Sequence, residues 1–229
     1  MNIFEKIKRK WAKLRLRPIR VYCLHHVCAQ FDSESMNECD WMQIDKFKRK
    51  VLALQQNGVA FISLTEAYCH ICNDLFRSKE YAVLTFDDGY ASLKEILPWL
   101  EEQKIPVTLF VNGKYLDGQS YRENPKEQYL TGEELLMITS PSIEIGSHGW
   151  EHKSALQQSE IEFKESVERN LHILSAHPQC IPFHAYTYGK YKKHHEQALI
   201  DLGVHPVSID GNKNFNDAMC IHRELMYNV

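Results

Sequence analysis

The stretch YAVLTFDDGYASL, residues 81–93, decides the fold. Its apolar run 81–86 predicts a buried β-strand, and two adjacent carboxylates, Asp87 and Asp88, follow that run directly. In parallel α/β proteins the active site gathers at the carboxyl ends of the strands. A buried strand with two negative charges at its tip therefore indicates such an end. Taken alone, Asp-Asp-Gly is also typical of a plain turn with a helix cap.

Short β-rich runs alternate with amphipathic segments on both sides of this strand. The runs that predict strands are 19–24, 59–64, 81–86, 106–111, 143–147, 182–186, 206–210 and one near 220–225. Helices are predicted at 47–58, from Thr65 to about 76, at 92–103 with a kink at Pro98, after capping boxes at Thr131 and Ser159, and up to about Leu202. This alternation predicts an α/β protein, a complete or incomplete barrel of about seven parallel strands, with an open doubly wound sheet as the alternative.

Composition narrows the functional classes. The chain has 229 residues, of which 44% are hydrophobic and 25% charged, as expected for a soluble globular protein with a sizeable core. A net charge of −3 argues against a nucleic-acid partner. The sequence has no phosphate-binding glycine motif, so nucleotide binding has no support. No apolar stretch is long enough to cross a bilayer.

The first 18 residues form a basic segment that precedes the globular domain, residues 19–229. Residues 1–20 carry eight Lys or Arg and one Glu, and their apolar side chains recur every three or four positions. This pattern predicts an amphipathic helix, which either lies peripherally on an anionic membrane surface or has a solvated basic face. The segment lacks the apolar core of a secretory signal. We therefore expect a cytoplasmic protein, at the inner membrane face if the first interpretation applies.

The seven cysteines cannot all pair within the chain, and reduced thiols fit a cytoplasmic location. Cys69 and Cys72 form a lone C-x-x-C in a segment with helical spacing. Residues three apart on a helix are neighbours on one face. We interpret this pair as core packing rather than as a redox motif.

Four polar clusters directly follow predicted strands. They are Asp87 and Asp88 after 81–86, His148 and His152 after 143–147, Thr187, Tyr188 and Gly189 after 182–186, and His25 and His26 after 19–24. Since the carboxyl ends of parallel strands lie at one end of a sheet, we expect the clusters to meet, although the sequence separates them widely. A lone histidine such as His26 is more often structural than functional.

An aspartate with two histidines is a ligand set that leaves positions open on a divalent metal ion. The spacing of His148 and His152 places both imidazoles on one face if the segment makes a helical turn. One of the two aspartates would bind the metal, and the other would take a proton from an attacking water. Each motif alone is commonly structural, but their shared position at strand ends favours a metal site.

At these residues the sequence resembles the polysaccharide deacetylase family. TFDDGY (85–90) is similar to the family's first motif, and SHGWEH (147–152) to its His-[Ser/Thr]-x-x-His motif. AYTYG (185–189) and LHHV (24–27) resemble two stretches of the branch that deacetylates poly-N-acetylglucosamine and related glycans. The resemblance covers roughly residues 19–225. It implies a distorted (β/α) barrel with fewer than eight regular units.

The resemblance also implies roles for the matching residues. Asp87 would be the catalytic base. Asp88, His148 and His152 would hold one divalent metal ion, commonly zinc, with iron, cobalt or nickel in some members.

Two further roles come from the same resemblance. The backbone N–H of Tyr188 would bind the oxyanion. The general acid would be a late histidine, for which His222 is our candidate and His184 and His205 are alternatives.

Three positions depart from the family's pattern. Gly149 replaces a Ser or Thr, and Lys153 replaces a frequent proline, which would loosen the turn or alter the support of the metal ligands. Thr187 replaces the proline before Tyr188, which would shift the oxyanion donor.

The sequence thus predicts a metal-dependent hydrolase that removes the acetyl group from an N-acetylated sugar of a surface glycan or its precursor. The alternative is an inactive deacetylase-like domain that binds glycan. A metal phosphoesterase that uses the paired aspartates is a third hypothesis, but the sequence shows no ligands for a second metal.

Overall fold

The computed structural model describes residues 16–29, 41–73, 77–117, 128–215 and 219–228. Every strand predicted from the sequence is present, with small shifts at the ends. In chain order the strands are β1 Ile19–Leu24, β2 His26–Cys28, β3 Trp41–Gln43, β4 Val59–Phe61, β5 Glu80–Phe86, β6 Val107–Val111, β7 Ile143–Ser147, β8 Cys180–Ala185, β9 His205–Ile209 and β10 Ile221–Leu225.

Seven parallel strands close into a barrel, in the order β1, β10, β9, β8, β7, β6, β5 and back to β1. β5 uses one edge twice, because β4 pairs with its first part, 80–82, and β6 with its last part, 84–86. β4 therefore stays outside the ring. The short strands β2 and β3 form a separate parallel pair. The predicted (β/α) barrel of about seven parallel strands is confirmed, and the open sheet is excluded.

Helices connect the strands and cover the outside of the barrel. They are α1 Ile44–Gln56, α2 Leu64–Asn73, α3 Leu97–Glu102, α4 Gly132–Leu136, α5 Glu160–Leu174 and α6 Lys193–Asp201. The capping boxes at Thr131 and Ser159 are both formed, and they start α4 and α5. The single kinked helix predicted at 92–103 is wrong. A 3₁₀ turn, Ala91–Glu95, precedes α3, and Pro98 lies in the first turn of α3, where a proline costs no hydrogen bond.

The apolar side chains of the barrel form two layers. The interior layer consists of Ile19, Val21, Val83, Phe110, Phe183, Ala185, Val207 and Ile221. The outer layer lies between the sheet and the helices and includes Leu84, Phe86, Leu109 and Ile145. Gly146 on β7 leaves the room that Phe110 needs, since a Cβ there would lie 2.6 Å from the Phe110 ring. The filled interior leaves only the strand ends for a site.

Two predictions about the periphery have different outcomes. Cys69 and Cys72 are exposed on α2, so their interpretation as core packing is wrong. The buried face of α2 is formed by Leu64, Ala67 and Ile71 instead. The amphipathic segment 1–18 lies, except for its last three residues, outside the described residues. Among the described helices, none is both long and apolar enough to cross a membrane.

Candidate active site and metal centre

The carboxyl ends of the barrel strands bring the Asp-Asp-Gly and His-Gly-Trp-Glu-His motifs together. Asp87 and Asp88 follow β5, and His148 follows β7. The backbone N–H of Asp87 donates to the carbonyl of Leu24 at 2.9 Å, which continues the pairing of β5 with β1 beyond the last residue of each strand. All three polar side chains are buried.

Asp88, His148 and His152 form a three-residue cluster with the composition of a metal site. Asp88 Oδ1 lies 3.3 Å from His148 Nε2 and 3.0 Å from His152 Nε2. All three ligand atoms lie within 4.8 Å of one another. His148 Nδ1 donates to the carbonyl of Ala185 at 2.9 Å, so its Nε2 presents a lone pair to the cluster. The residues present therefore fit a divalent cation with further positions open for water or substrate.

The two histidines meet, but not through a helical turn, which was the condition considered from their spacing. Residues 148–152 form an irregular bend in which Gly149 has φ +81° and His152 has φ +54°. Asp88 also adopts a positive φ of +71°. Non-glycine residues in this region store backbone strain, which typically accumulates at functional sites. Two of the three cluster residues are strained in this way.

Hydrogen bonds between side chains and the backbone hold the bend at residues 148–152 in place. The side-chain amide of Asn112 donates to the carbonyls of His148 and Gly149, at 2.7 and 3.0 Å. The Trp150 N–H donates to the hydroxyl of Ser166 on α5 at 2.9 Å. A glycine at position 149 thus suits the backbone conformation, and these neighbours position the bend. At position 153 the side chain is exposed, so the change from proline leaves the ligands untouched.

Asn170 on α5 connects three parts of the site scaffold. It is fully buried, and its amide donates to the carbonyl of Val111 at 2.8 Å and to the hydroxyl of Ser147 at 2.9 Å. Its carbonyl oxygen accepts from the N–H of Gly113 at 2.6 Å. The ends of β6 and β7 are therefore fixed relative to α5 through one side chain.

Asp87 faces a buried arginine that the sequence analysis did not identify. Arg223 Nη1 donates to Asp87 Oδ1 at 2.6 Å, and Nη2 donates to Oδ2 at 2.8 Å. Arg223 also donates to Thr85 Oγ1 and to the carbonyl of Ser208. Two parallel charge-assisted hydrogen bonds fix the plane of the carboxylate. Asp87 Oδ2 lies 4.0 Å from His148 Nε2, so the fixed carboxylate borders the Asp88–His148–His152 cluster.

The charges of the site keep both aspartates ionised. Burial raises the pKa of Asp87, but the charges of Arg223 and His148 outweigh burial, and the net pKa lies below its ordinary value. Burial likewise raises the pKa of Asp88, but His152 and His148 bring it well below the ordinary value. For His148, burial lowers the pKa, and the two aspartates raise it more strongly.

His25 and Cys23 lie on the other side of Asp87. Ligand atoms of Cys23, His25 and Asp87 lie within 4.8 Å of one another. The alternation of a strand explains the arrangement, because Cys23 and His25 are two residues apart and project to the same side. His26 projects away, and its ring is stacked between Trp41 and Tyr90 at 3.6 Å from each. The structural interpretation of His26 agrees with this packing.

The three candidates for the general acid, His222, His205 and His184, belong neither to the Asp88–His148–His152 cluster nor to the group of Cys23, His25 and Asp87. His222 lies on the outer face of β10, opposite to Arg223, and its Nδ1 pairs with Asp210 at 2.7 Å. His205 begins β9 at the other end of the barrel and packs against Tyr68. His184 is buried behind the bend, where its Nδ1 lies 3.1 Å from Ser147 Oγ.

Burial, with some help from His148 and Arg223, lowers the pKa of His184 to about 3. A histidine with such a pKa stays neutral near pH 7, so it lacks the imidazolium form that a general acid uses. The contact with Ser147 places His184 beside the bend at residues 148–152.

Tyr188 follows β8 in a left-handed conformation with φ +60°. Its exposed ring packs edge-on against His152 with ring centroids 4.9 Å apart, so Tyr188 borders the Asp88–His148–His152 cluster. The hydroxyl of Thr187 donates to the carbonyl of His148 at 3.2 Å. A proline could not form this bond, so Thr187 connects the stretch 185–189 to the bend at residues 148–152.

Comparison with known proteins shows the family to which this chain belongs. Residues 76–207, more than half of the chain, match the family model described as polysaccharide deacetylase. The chain therefore belongs to the polysaccharide deacetylase family. A search of curated proteins gives no significant match.

Several solved structures share the fold. IcaB from Ammonifex degensii is 23% identical, with a TM-score of 0.75 and 92% of each chain covered. The Streptococcus pyogenes deacetylase PplD is 18% identical, with a TM-score of 0.79 over 93% of this chain and 94% of that chain. A de-N-acetylase from Aggregatibacter actinomycetemcomitans is 18% identical, with a TM-score of 0.76 over 91% and 94%. At these identities the likeness shows the fold of the whole domain.

Proposed function

We propose that the chain is a metal-dependent carbohydrate N-deacetylase, a hydrolase that releases acetate from an N-acetylated sugar of a surface glycan or its precursor. The observation that carries the proposal is the fixed Asp87 carboxylate beside the Asp88–His148–His152 cluster. The cofactor would be one divalent ion, zinc first, with iron, cobalt or nickel as alternatives. When bound, such an ion polarises an amide carbonyl and lowers the pKa of a water molecule.

Asp87 is the general base of the proposed reaction. It accepts a proton from the attacking water as the oxygen adds to the amide carbon. Arg223 holds the carboxylate ionised and oriented, so that a lone pair of Asp87 faces the cluster. The backbone N–H of Tyr188 is the proposed donor to the developing oxyanion. Such a donor is worth on the order of 3 kcal/mol in known hydrolases.

His25 is the histidine best placed to protonate the leaving amine. It lies beside Asp87, whereas His222 is on the outer face of β10. Protonation lets the C–N bond break to give the sugar amine and acetate. The position of His25 supports this role in place of the role predicted for His222.

An inactive glycan-binding domain has less support. The departures at Gly149 and Thr187 are accommodated by the bend and by a new hydrogen bond.

The test is the substitution Asp87→Asn, which removes the base; because it also leaves the buried Arg223 charge without its partner, folding of the variant is checked by circular dichroism. Acetate release from N-acetylhexosamine oligomers should be abolished, while metal content, measured on the same sample, stays near one per chain. Asp210→Asn is the matched control, because Asp210 lies with His222 away from the cluster. Turnover by the Asp87→Asn variant would reject the base. A metal-loaded wild type that binds N-acetylated sugars without releasing acetate would favour the binding domain.

We also propose that residues 1–20 hold the enzyme at the inner membrane face, in contact with anionic lipid. Their basic and apolar pattern supports this location. Replacing Lys6, Lys8 and Lys10 by Gln should move the protein from the membrane to the soluble fraction after cell lysis. An unchanged distribution would count against the anchor.

A further inference from the structure

We propose that Cys23, His25 and Asp87 form a second cation site, for a thiophilic divalent ion such as Zn²⁺ or Cd²⁺, and that a cation held there inhibits the hydrolase. The inhibition rests on the proposed function, whereas the binding does not. The site shares no ligand with the Asp88–His148–His152 cluster.

The fold brings these three donors together through strand register. β1 pairs with β5 so that Cys23 lies opposite Thr85 and Leu24 opposite Phe86. One step further, His25 lies opposite Asp87. Cys23 and His25 project to the same side of β1, because side chains alternate along a strand. The three donors therefore lie on, or directly after, two neighbouring strands.

The distances suit one cation. Cys23 Sγ lies 3.4 Å from Asp87 Oδ2, and all three donor atoms are within 4.8 Å of one another. Zinc binds thiolate sulfur at about 2.3 Å and carboxylate oxygen at about 2.0–2.2 Å, so a tetrahedral site places these two atoms about 3.5 Å apart. The sulfur and the oxygen already have about that separation, and the imidazole of His25 lies within 4.8 Å of both.

The donor types favour a soft or borderline ion. A thiolate, an imidazole and a carboxylate together select zinc or cadmium over magnesium or calcium, which prefer oxygen ligands. His25 Nδ1 is buried and has no hydrogen-bond partner within the described part of the chain. A coordinating ion would give the ring of His25 a partner on this side of the barrel.

Arg223 offsets the negative charge of Asp87 but does not occupy the position between Asp87 Oδ2 and the thiol of Cys23. Asp87 Oδ2 accepts one hydrogen bond from Arg223 and one from the thiol of Cys23. The ion would replace the thiol proton and leave the contact with Arg223 intact. Metal binding at cysteine displaces a proton in this way.

Occupation of the second site would stop the proposed reaction. Asp87 would have its proton-accepting oxygen bound, and His25 could not carry a proton. The enzyme would therefore need its first ion and be inhibited by an excess of the same ion.

Cobalt titration of the metal-free, full-length chain tests the second site directly. The first equivalent of Co²⁺ should give only the weak visible bands of a nitrogen and oxygen site. Further equivalents should add a sulfur-to-cobalt charge-transfer absorption in the near ultraviolet. In Cys23→Ser that absorption should be lost while the first equivalent binds as before. In Cys69→Ser/Cys72→Ser, which removes two exposed thiols, it should persist.

The outcomes separate the second site from the proposed function. In His148→Ala/His152→Ala the charge-transfer absorption should remain although the first site is lost. A band that is complete at one equivalent, that survives Cys23→Ser, or that is absent from the wild type would overturn the second site. If the band behaves as expected and no N-acetylated sugar is hydrolysed, the site stands and the proposed function fails. If acetate is released, excess Zn²⁺ should inhibit the wild type at least tenfold more than Cys23→Ser, and equal inhibition would overturn the inhibitory role.

Discussion

The guanidinium of Arg223 and the carboxylate of Asp87 face each other in one plane inside the barrel, joined by hydrogen bonds of 2.6 and 2.8 Å. Both side chains are almost completely buried. The barrel therefore contains an ion pair that water does not screen, at the position where the chain is proposed to move a proton. Each partner depends on the other, because an unpaired buried charge is costly.

Arg223→Gln should consequently destabilise the protein by about 3–5 kcal/mol, since it leaves the Asp87 charge buried without a partner. Urea unfolding followed by circular dichroism measures this change. The double variant Arg223→Gln/Asp87→Asn should recover part of the loss, because it removes the orphaned charge. If the double variant is less stable than Arg223→Gln, the ion pair is not the cause.

His25→Gln should lower kcat by about 10²–10⁴-fold if His25 protonates the leaving amine. His222→Gln is the matched control and should keep most of the activity, because His222 pairs with Asp210 on the outer face of β10. The comparison uses acetate release at saturating substrate. The reverse ranking would restore His222 as the general acid.

Asn170→Ala should weaken metal binding by about 10–100-fold, because Asn170 fixes the end of β7 from which His148 extends. Competition with a chromophoric chelator measures the affinity without any substrate. Asn73→Ala, at the exposed end of α2, is the control and should bind metal like the wild type. Unchanged affinity in Asn170→Ala would show that the bend does not need this support.

Gly149→Ala should destabilise the protein by about 1–2 kcal/mol, since the position has φ +81°. The new Cβ would meet its nearest atoms at 3.6 and 3.8 Å, so the cost is in the backbone and not in packing. Gly203→Ala has a similar φ of +69° far from the cluster and should cost a similar amount. Only Gly149→Ala should also weaken metal binding, and equal effects of both variants on affinity would contradict the assignment.

The buried His184 should make stability depend on pH. Burial lowers its pKa to about 3 in the folded protein, while an unfolded histidine has a pKa of about 6.5. Below pH about 6.5 the unfolded state therefore binds a proton that the folded state refuses, and stability falls by at most about 1.4 kcal/mol per pH unit. Above that pH the contribution is complete.

His184→Gln should accordingly flatten the decline in the free energy of unfolding between pH 6.5 and pH 4. His172→Gln, an exposed change on α5, should keep the slope of the wild type. The same slope in all three proteins would show that another group controls the acid sensitivity.

Much of the fold could be predicted from local patterns. Strand and helix positions follow apolar periodicity, and the capping boxes at Thr131 and Ser159 are formed as predicted. The pair β2–β3 was missed because its strands of three residues carry no measurable alternation, whereas β4 was predicted as part of a longer apolar run, 59–64. The helical turn considered for His148 and His152 is not formed because Gly149 takes a positive φ, which spacing alone does not reveal.

The remaining parts of the site depend on which strands become neighbours. The run IHREL does not reveal the role of Arg223, which depends on the closure of the barrel that brings β10 beside β1. The single available signal was a charged residue at an apolar position of a strand. His25 was recognisable as a residue after a strand, but its facing Asp87 follows from the register of β1 with β5.

The closing of the ring has a consequence for synthesis on the ribosome. β1 is made first and β10 last, yet Tyr22 pairs with Glu224 across the seam. Until β10 leaves the exit tunnel, Asp87 lacks Arg223 and the barrel has an open side. Contacts between such distant residues form slowly. Synthesis of β10, closure of the barrel and pairing of Asp87 with Arg223 are therefore linked, and a nascent chain that stops short of β10 lacks the complete site.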